Sequence, residues 1–538
     1  MLRLSLDGIK DKKSWLDKGF SLPKFDIERV RERTLKAPKL IHFGAGNIFR
    51  GFIAGIVQNM IESGKEDTGV IGVELFDYEI IDKIYYPYDN LCIAITINSD
   101  GTLEKKVVGS IVCGFKGDPL YEDWNSLKEM FRSPSLQIVS LTITEKGYNL
   151  EDQEGKLYPI VLEDMKNGPV MPKSSMGKVT SLLYERFKAG RLPVAMLSLD
   201  NFSKNGEKLY SSVYKIAEEW VKGKMVEEAF LNYINKEVAF PWSMIDKIVP
   251  RPSEVIKKHL EGLGLVDMDI CVTDKKTFIA PFVNMERAQY LVIEDSFPNG
   301  RPALEGSDRN VFLTDRETVE KSERMKVTAC LNPLHTSLAV FGCLLGYKTI
   351  ADEMKDPLLA KLVEGVGEEG MKVVVDPKII SPKSFLEEVI KERLPNPYMP
   401  DTPQRIATDT SQKVPIRFGE TIRSYHERPD LDVKELKYIP LVIAGWCRYL
   451  MGIDDEGKRM ELSPDPLLEA LRGYVSSVKF GDPDSVKDAL KPILSSPQLF
   501  RVNLYEVGLG KKIEGYFKKM ISGPGAVKKT LEEVLREG

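Results

Sequence analysis

Lys39-Leu-Ile-His-Phe-Gly44-Ala-Gly46-Asn-Ile-Phe-Arg50-Gly-Phe52 is the stretch that sets the fold. An apolar strand runs into two close glycines, and an amphipathic helical pattern, Phe52-Ile-Ala-Gly-Ile-Val-Gln-Asn-Met-Ile61, leaves them. This is the first turn of a dinucleotide-binding βαβ unit: Gly44 allows the tight turn, and Gly46 lets the backbone approach a pyrophosphate at the helix N-terminus. The usual third glycine is missing. Phe49 holds its place, and Arg50 follows, within reach of a phosphate. Phe43, Gly44, Ala45, Gly46, Asn47, Ile48, Phe49 and Arg50 are therefore the expected cofactor contacts. A second apolar strand, Gly69-Val-Ile-Gly-Val-Glu-Leu-Phe76, ends near Glu74 and Asp77. An acidic residue there binds the adenosine ribose hydroxyls and repels a 2′-phosphate. With no arginine between 74 and 78, NAD is the expected cofactor and Asp77 its ribose ligand.

Outward from this unit, strand-like segments near Ile41 and at 70–75, 93–97, 137–142 and 194–199 alternate with helical patterns, the order of a mostly parallel α/β sheet. From about Val311 the character changes. Segments 357–366, 384–393, 441–451, 467–475 and 485–494 read as helices punctuated by Pro and Gly. The expected fold is α/β, a Rossmann-type dinucleotide-binding domain over residues 1–310 followed by a mainly α-helical substrate-binding domain over residues 311–538.

Composition narrows the partners. Lys+Arg of 76 against Asp+Glu of 80 gives a net charge of −4, with no basic domain or arginine-rich tract, so nucleic acid is not an expected partner. An anionic substrate would have to be caught by local cations. No stretch reaches the length of a membrane span, and the opening Met-Leu-Arg-Leu-Ser-Leu-Asp-Gly8 lacks a signal-like apolar run. A cytoplasmic protein without a membrane partner is expected, as a monomer or small homo-oligomer. The six cysteines are scattered without a C-x-x-C pair, and are expected to be reduced, with Cys330 as core filler. Neither His-Glu-x-x-His nor another ligand cluster is present, so no catalytic metal is expected. Charged residues at 29%, many of them Lys and Glu, tilt toward a heat-stable protein.

The chemistry concentrates in Lys326-Val-Thr-Ala-Cys-Leu-Asn-Pro-Leu-His335, which holds one of only four histidines. A lysine can pass a proton to or from an oxygen, an asparagine amide can donate to a developing alkoxide, and a neutral histidine can orient a hydroxyl. On one straight helix Lys326 and His335 would point about 180° apart, at roughly 100° per residue. Asn332 precedes Pro333, and a residue before proline avoids the α region. Asn332 is thus expected to cap a new helix that starts at Pro333, leaving Lys326 on another element.

With both segments in hand, the chain resembles the mannitol dehydrogenase family, the polyol-specific long-chain dehydrogenases, across almost its full length. The matching segments are 42–50, Ser140-Leu-Thr-Ile-Thr-Glu-Lys-Gly-Tyr148, Ser198-Leu-Asp-Asn201 with Asn205-Gly206, 240–250, 293–302, Glu323-Arg-Met-Lys326, Leu331-Asn-Pro-Leu-His335 and Arg405-Ile-Ala-Thr-Asp-Thr-Ser-Gln-Lys413. Leu-Asn-Pro-Leu-His-Thr336 with Gly-Cys-Leu-Leu-Gly-Tyr347 is most similar to members that interconvert D-mannonate and D-fructuronate. The resemblance implies NAD-dependent, metal-independent hydride transfer on a sugar acid or polyol. Lys326 is implied as general acid/base, Asn201 and Asn332 as a two-amide oxyanion site, and His335 as a ligand of a substrate hydroxyl. Arg405 and Lys413 are implied as substrate-holding cations. Asp246 would support this shell by holding Arg405 or Asn201. Glu145 would approach the nicotinamide ribose or a proton path that Glu323 extends. One departure stands out: the family places five steps between its lysine and asparagine, and Lys326 to Asn332 is six. Alternatives are a tagaturonate reductase, a mannitol 2-dehydrogenase, or an NADH-binding redox sensor without catalysis.

Overall fold

The computed structural model describes residues 1–152, 154–399 and 401–536. The chain divides into two compact units, Met1–Glu320 and Lys321–Gly538. The division falls past the expected 310/311, because the strand Val311–Thr314 pairs with Tyr290–Glu294 and so belongs to the first unit.

In the first unit, Leu40–Phe43, Val70–Glu74, Ile111–Lys116, Ile138–Leu141, Val194–Ser198 and Val238–Ala239 form one fully parallel sheet. Numbered along the chain, these six strands lie in the order 3-2-1-4-5-6, that of dinucleotide-binding sheets. Every residue of Leu40–Phe43, Val70–Glu74, Ile138–Leu141 and Val194–Ser198 is buried, as a sheet covered on both faces requires. The order reverses between Leu40–Phe43 and Ile138–Leu141, which opens a crevice beyond their carboxyl ends.

The segment expected as a strand at 93–97 is Cys92–Ile97, but it lies outside this sheet. The turn Asn98-Ser-Asp-Gly101, with Gly101 at φ 84°, folds the chain into an antiparallel hairpin with Leu103–Val108. That hairpin pairs in parallel with Phe282–Glu286 and, on its other edge, with Phe20–Ser21.

Among the described residues the second unit contains no strand longer than a single bridge. The helix Asn332–Leu345 packs against Pro357–Met371, Pro403–Ala407 and Tyr438–Tyr449. The helix expected at 485–494 is instead a short turn, Pro483–Val486, and a separate Lys491–Leu494, because Lys487 adopts φ 39° and breaks the run. The helical run Arg316–Leu345 is long and apolar enough to cross a membrane, contrary to the sequence reading, yet 78% of its apolar window is buried inside the protein.

Candidate active site

The glycine loop sits at the carboxyl end of Leu40–Phe43, beside the crevice. Gly44 has φ 105°, and a Cβ there would lie 2.1 Å from the Thr142 carbonyl oxygen, so only glycine fits. Gly46 faces open space, with no atom within 4 Å of a Cβ placed on it. The next amides open a helix that runs through a π-turn, Phe49–Ile53, into Ala54–Glu62. Amides at a helix start have no intrahelical acceptor. Open space, a left-handed glycine and an N-terminal helix turn together fit a pyrophosphate.

Phe49 explains the missing third glycine. That glycine normally lets helix and strand approach. Here the relief lies on the neighbouring strand, where a Cβ on Gly72 would come within 2.8 Å of Phe49 Cε1. His42 stacks on Phe49 at 4.4 Å, and its two nitrogens bond the Ser140 and Thr142 hydroxyls at 2.8 Å. Burial pushes the His42 pKa down to about 3, so this histidine is a neutral strut.

Two expected cofactor contacts are corrected. The Arg50 side chain is buried, donating from Nη1 to the Ala280 carbonyl and from Nη2 to Asn47 Oδ1, each at 2.7 Å. It ties the loop to the hairpin sheet instead of facing a phosphate. Asp77 is also turned inward, its Oδ2 accepting the Thr273 hydroxyl at 2.6 Å. Glu74 stands at the strand end in its place. One Glu74 oxygen accepts the Ala45 amide of the glycine loop at 3.0 Å, and the other accepts the amides of Phe76 and Asp77. Burial raises the Glu74 pKa against the pull of those three amides.

Across the crevice, Thr144 is held at φ 63° by Asp200, whose carboxylate accepts the amides of Ile143 and Thr144 and the Tyr148 hydroxyl. A β-branched residue in that conformation is strained, a state that clusters at ligand clamps. Glu145, exposed in the short helix Thr144–Tyr148, and Asn201, on an exposed bend, follow the ends of Ile138–Leu141 and Val194–Ser198. Asp246 is buried at the end of Ser243–Asp246. In the second unit the Arg405 fork is filled by Asp401 (Nε–Oδ1 2.7 Å, Nη2–Oδ2 2.6 Å).

In the second unit, the expected break at Asn332 is a π-turn, Lys326–Cys330, inside a helix that continues. The Leu331 amide bonds the Lys326 carbonyl at 3.0 Å, an i→i+5 bond, and the irregular backbone falls on Leu331 (φ −133°). Proline lacks an amide to continue the π pattern back to Thr328; the Thr328 carbonyl accepts the Thr421 hydroxyl at 3.2 Å instead. The wider turn absorbs one residue. Six steps then orient like five, and Lys326 and His335 point about 80° apart in place of about 180°. Lys326 is buried, at 1% exposure, whereas Val327 is partly open.

Among the described residues neither ring nitrogen of His335 nor the side-chain amide of Asn332 has a hydrogen-bond partner, and both residues are partly open. Desolvation takes the His335 pKa down to about 4; Asp401 opposes, and Arg417, Arg393 and Arg405 reinforce. The imidazole is neutral at physiological pH. Lys413 does not extend freely toward a ligand. Its ammonium donates to the carbonyls of Ile406 (2.9 Å) and Thr408, pinning the segment that carries Arg405. Burial, with Arg417 and Arg405 nearby, lowers its pKa to about 8. Arg417 is the cation the sequence reading missed; it lies twelve residues past Arg405 with no motif to mark it. Cys330 is core, its thiol pushed up to about 12 by burial. Among the described residues no group of three His, Cys, Asp or Glu side chains is placed to hold a metal ion.

Residues 38–306 match the mannitol dehydrogenase Rossmann domain, and residues 318–504 match the mannitol dehydrogenase C-terminal domain. The chain belongs to the mannitol dehydrogenase family. It is 72% identical to D-mannonate oxidoreductase of Thermotoga maritima over 99% of both chains. It is 27% identical to D-mannonate oxidoreductase of Escherichia coli, covering 83% of this chain and 85% of that one. The structure of Pseudomonas fluorescens mannitol 2-dehydrogenase, a ternary complex with NAD and D-mannitol, superposes with a TM-score of 0.69 at 25% identity, covering 100% of both chains.

Proposed function

We propose that this chain is an NAD-dependent D-mannonate oxidoreductase that interconverts D-mannonate and D-fructuronate. The observation that carries this reading is the 72% identity, over essentially the whole chain, to a D-mannonate oxidoreductase. The machinery described above is suited to the chemistry. The bound dinucleotide supplies or accepts the hydride. The loop Gly44–Asn47 holds its pyrophosphate. Lys326 exchanges the proton with the reacting oxygen. It takes a proton during oxidation and returns it during reduction. The Asn332 amide donates to the same oxygen as charge develops on it. Neutral His335 binds a neighbouring hydroxyl, which it can do without competing for the proton. No step requires a metal.

The test is a panel of D-fructuronate, D-tagaturonate and D-fructose followed by NADH absorbance. Fastest turnover is expected with D-fructuronate, with NADH preferred to NADPH and activity kept in excess chelator. A preference for D-tagaturonate or D-fructose would overturn the substrate assignment. NADH binding without turnover of any keto sugar would identify a redox sensor. Lys326→Ala should lower kcat by roughly 10²–10⁴-fold while NADH affinity holds. Val327→Ala should change little. The reverse pattern would move the proton donor off Lys326.

A further inference from the structure

Arg393, Arg405 and Arg417 act on His335 in the first turn of the helix Asn332–Leu345, Lys413 lies beside the last two, and all but Arg417 are already engaged. Arg405 is forked by Asp401, and Lys413 is bonded to two backbone carbonyls. Arg417 differs. Its Nη1 donates to Thr336 Oγ1 at 2.5 Å and to the Asn332 carbonyl at 3.4 Å. Among the described residues Nε and Nη2 make no hydrogen bond, and no carboxylate pairs with the guanidinium. Arg417 as a residue is only partly buried, and Nε and Nη2 are the donors it has left for a ligand.

Its anchorage is specific. Thr336 follows His335, and Asn332 lies one turn earlier on the same face. The bonds to Thr336 and Asn332 therefore hold the guanidinium beside the two side chains whose own hydrogen-bonding groups are unfilled. Arg417 comes from Pro415–Gly419, itself a π-turn, which packs against the π-turn of Lys326. Burial lowers its pKa to about 10 with no acid to offset it, so the site holds a positive charge at neutral pH that lacks a protein counter-charge. A cation left in that state is matched by an anionic ligand, and a planar guanidinium with two donor groups left, Nε and Nη2, matches a carboxylate.

We propose that Arg417 receives the carboxylate of the sugar-acid substrate and thereby sets sugar acids above neutral polyols. This rests on the reading of the substrate as D-mannonate. A neutral polyol offers nothing to fill the fork, and burying that cation against a hydroxymethyl group leaves its donors poorly paired. Arg417 is in this sense a substrate-binding residue, separate from the proton-transfer role of Lys326.

The experiment compares kcat/KM for D-mannonate with that for its neutral amide, D-mannonamide, in the wild type, Arg417→Gln, Arg417→Met and Arg417→Lys, each checked by thermal melting. The acid-to-amide ratio should fall roughly ten- to a hundredfold in the Gln and Met variants, as loss of a charge-assisted contact predicts, and recover in part with Lys. An unchanged ratio, or equal losses on both compounds, would assign Arg417 to positioning Asn332 and overturn the proposal. So would failure of both neutral variants to fold, which would make the guanidinium a structural requirement. If the wild type does not oxidise D-mannonate at all, it is the substrate reading that fails, and the wild-type arm alone reveals it.

Discussion

Glu353 is fully buried on the short helix Ile350–Glu353, and among the described residues neither carboxyl oxygen has a hydrogen-bond partner. Gly342 makes the room: a Cβ there would lie 2.0 Å from Glu353 Oε1. Desolvation, with Asp401 adding to it, pushes the Glu353 pKa up to about 10. The folded state therefore keeps a proton that the unfolded chain releases above about pH 4.5. Stability falls as pH rises from there toward 10. Glu353→Met keeps the volume and removes the titration. It should raise Tm by a few degrees at pH 8, on the order of 1–3 kcal/mol for one buried unsatisfied polar group, and by less at pH 5. Equal shifts at the two pH values would mean the carboxyl is not protonated in the fold. His335 differs in kind. Its residue type and neighbours marked it in the sequence, whereas nothing local to Arg417 or Glu353 did, because what singles them out is the company brought by distant segments.

Among elements, the glycine turn and the Lys326 segment were legible in different degrees. The glycine turn was readable because backbone geometry demands glycine at position 44 whatever surrounds it. The role of Phe49 was not, because its compensating residue, Gly72, lies on another strand. The two form one packing unit. Gly72→Val should destabilise the first unit by roughly 1–3 kcal/mol through overpacking, and combining it with Phe49→Ala should recover part of that loss. Strict additivity in denaturant melts would show that the two residues do not share the space. Near Lys326 the sequence marked a disturbance correctly at Asn-Pro but placed it one residue late and gave it the wrong form. Proline removes an amide, yet whether the helix stops or widens depends on what catches the freed carbonyl. Thr421, 93 residues away, does so. Asp77 and Arg50 were misassigned for a related reason: charge in a loop was read as pointing to a ligand, and both side chains instead bond partners near 280, which local pattern cannot show.

At the scale of the whole molecule, the α/β first unit and helical second unit were both legible, since each is written in hydrophobic periodicity over many residues. The order of strands was not, since Cys92–Ile97 has the composition of a central parallel strand and is diverted only by the turn that follows it. That diversion governs how the chain is made. Cys92–Ile97 must wait for Phe282–Glu286, and Arg50 must wait for Ala280, before their bonds can form. At ordinary elongation speeds of about 5–20 residues per second, the gap is roughly 10–40 s of translation during which one edge of the hairpin is exposed. A ribosome-held nascent chain ending at residue 240 already contains all six strands of the parallel sheet, yet should remain protease-sensitive. One extended past residue 320 should become resistant in a single step. Early resistance at 240 would show that the sheet matures alone. The glycine loop, first to be synthesised, is thus expected to be among the last parts of its unit to settle, and a nascent chain should depend longest on chaperone protection around the very residues that will hold the dinucleotide.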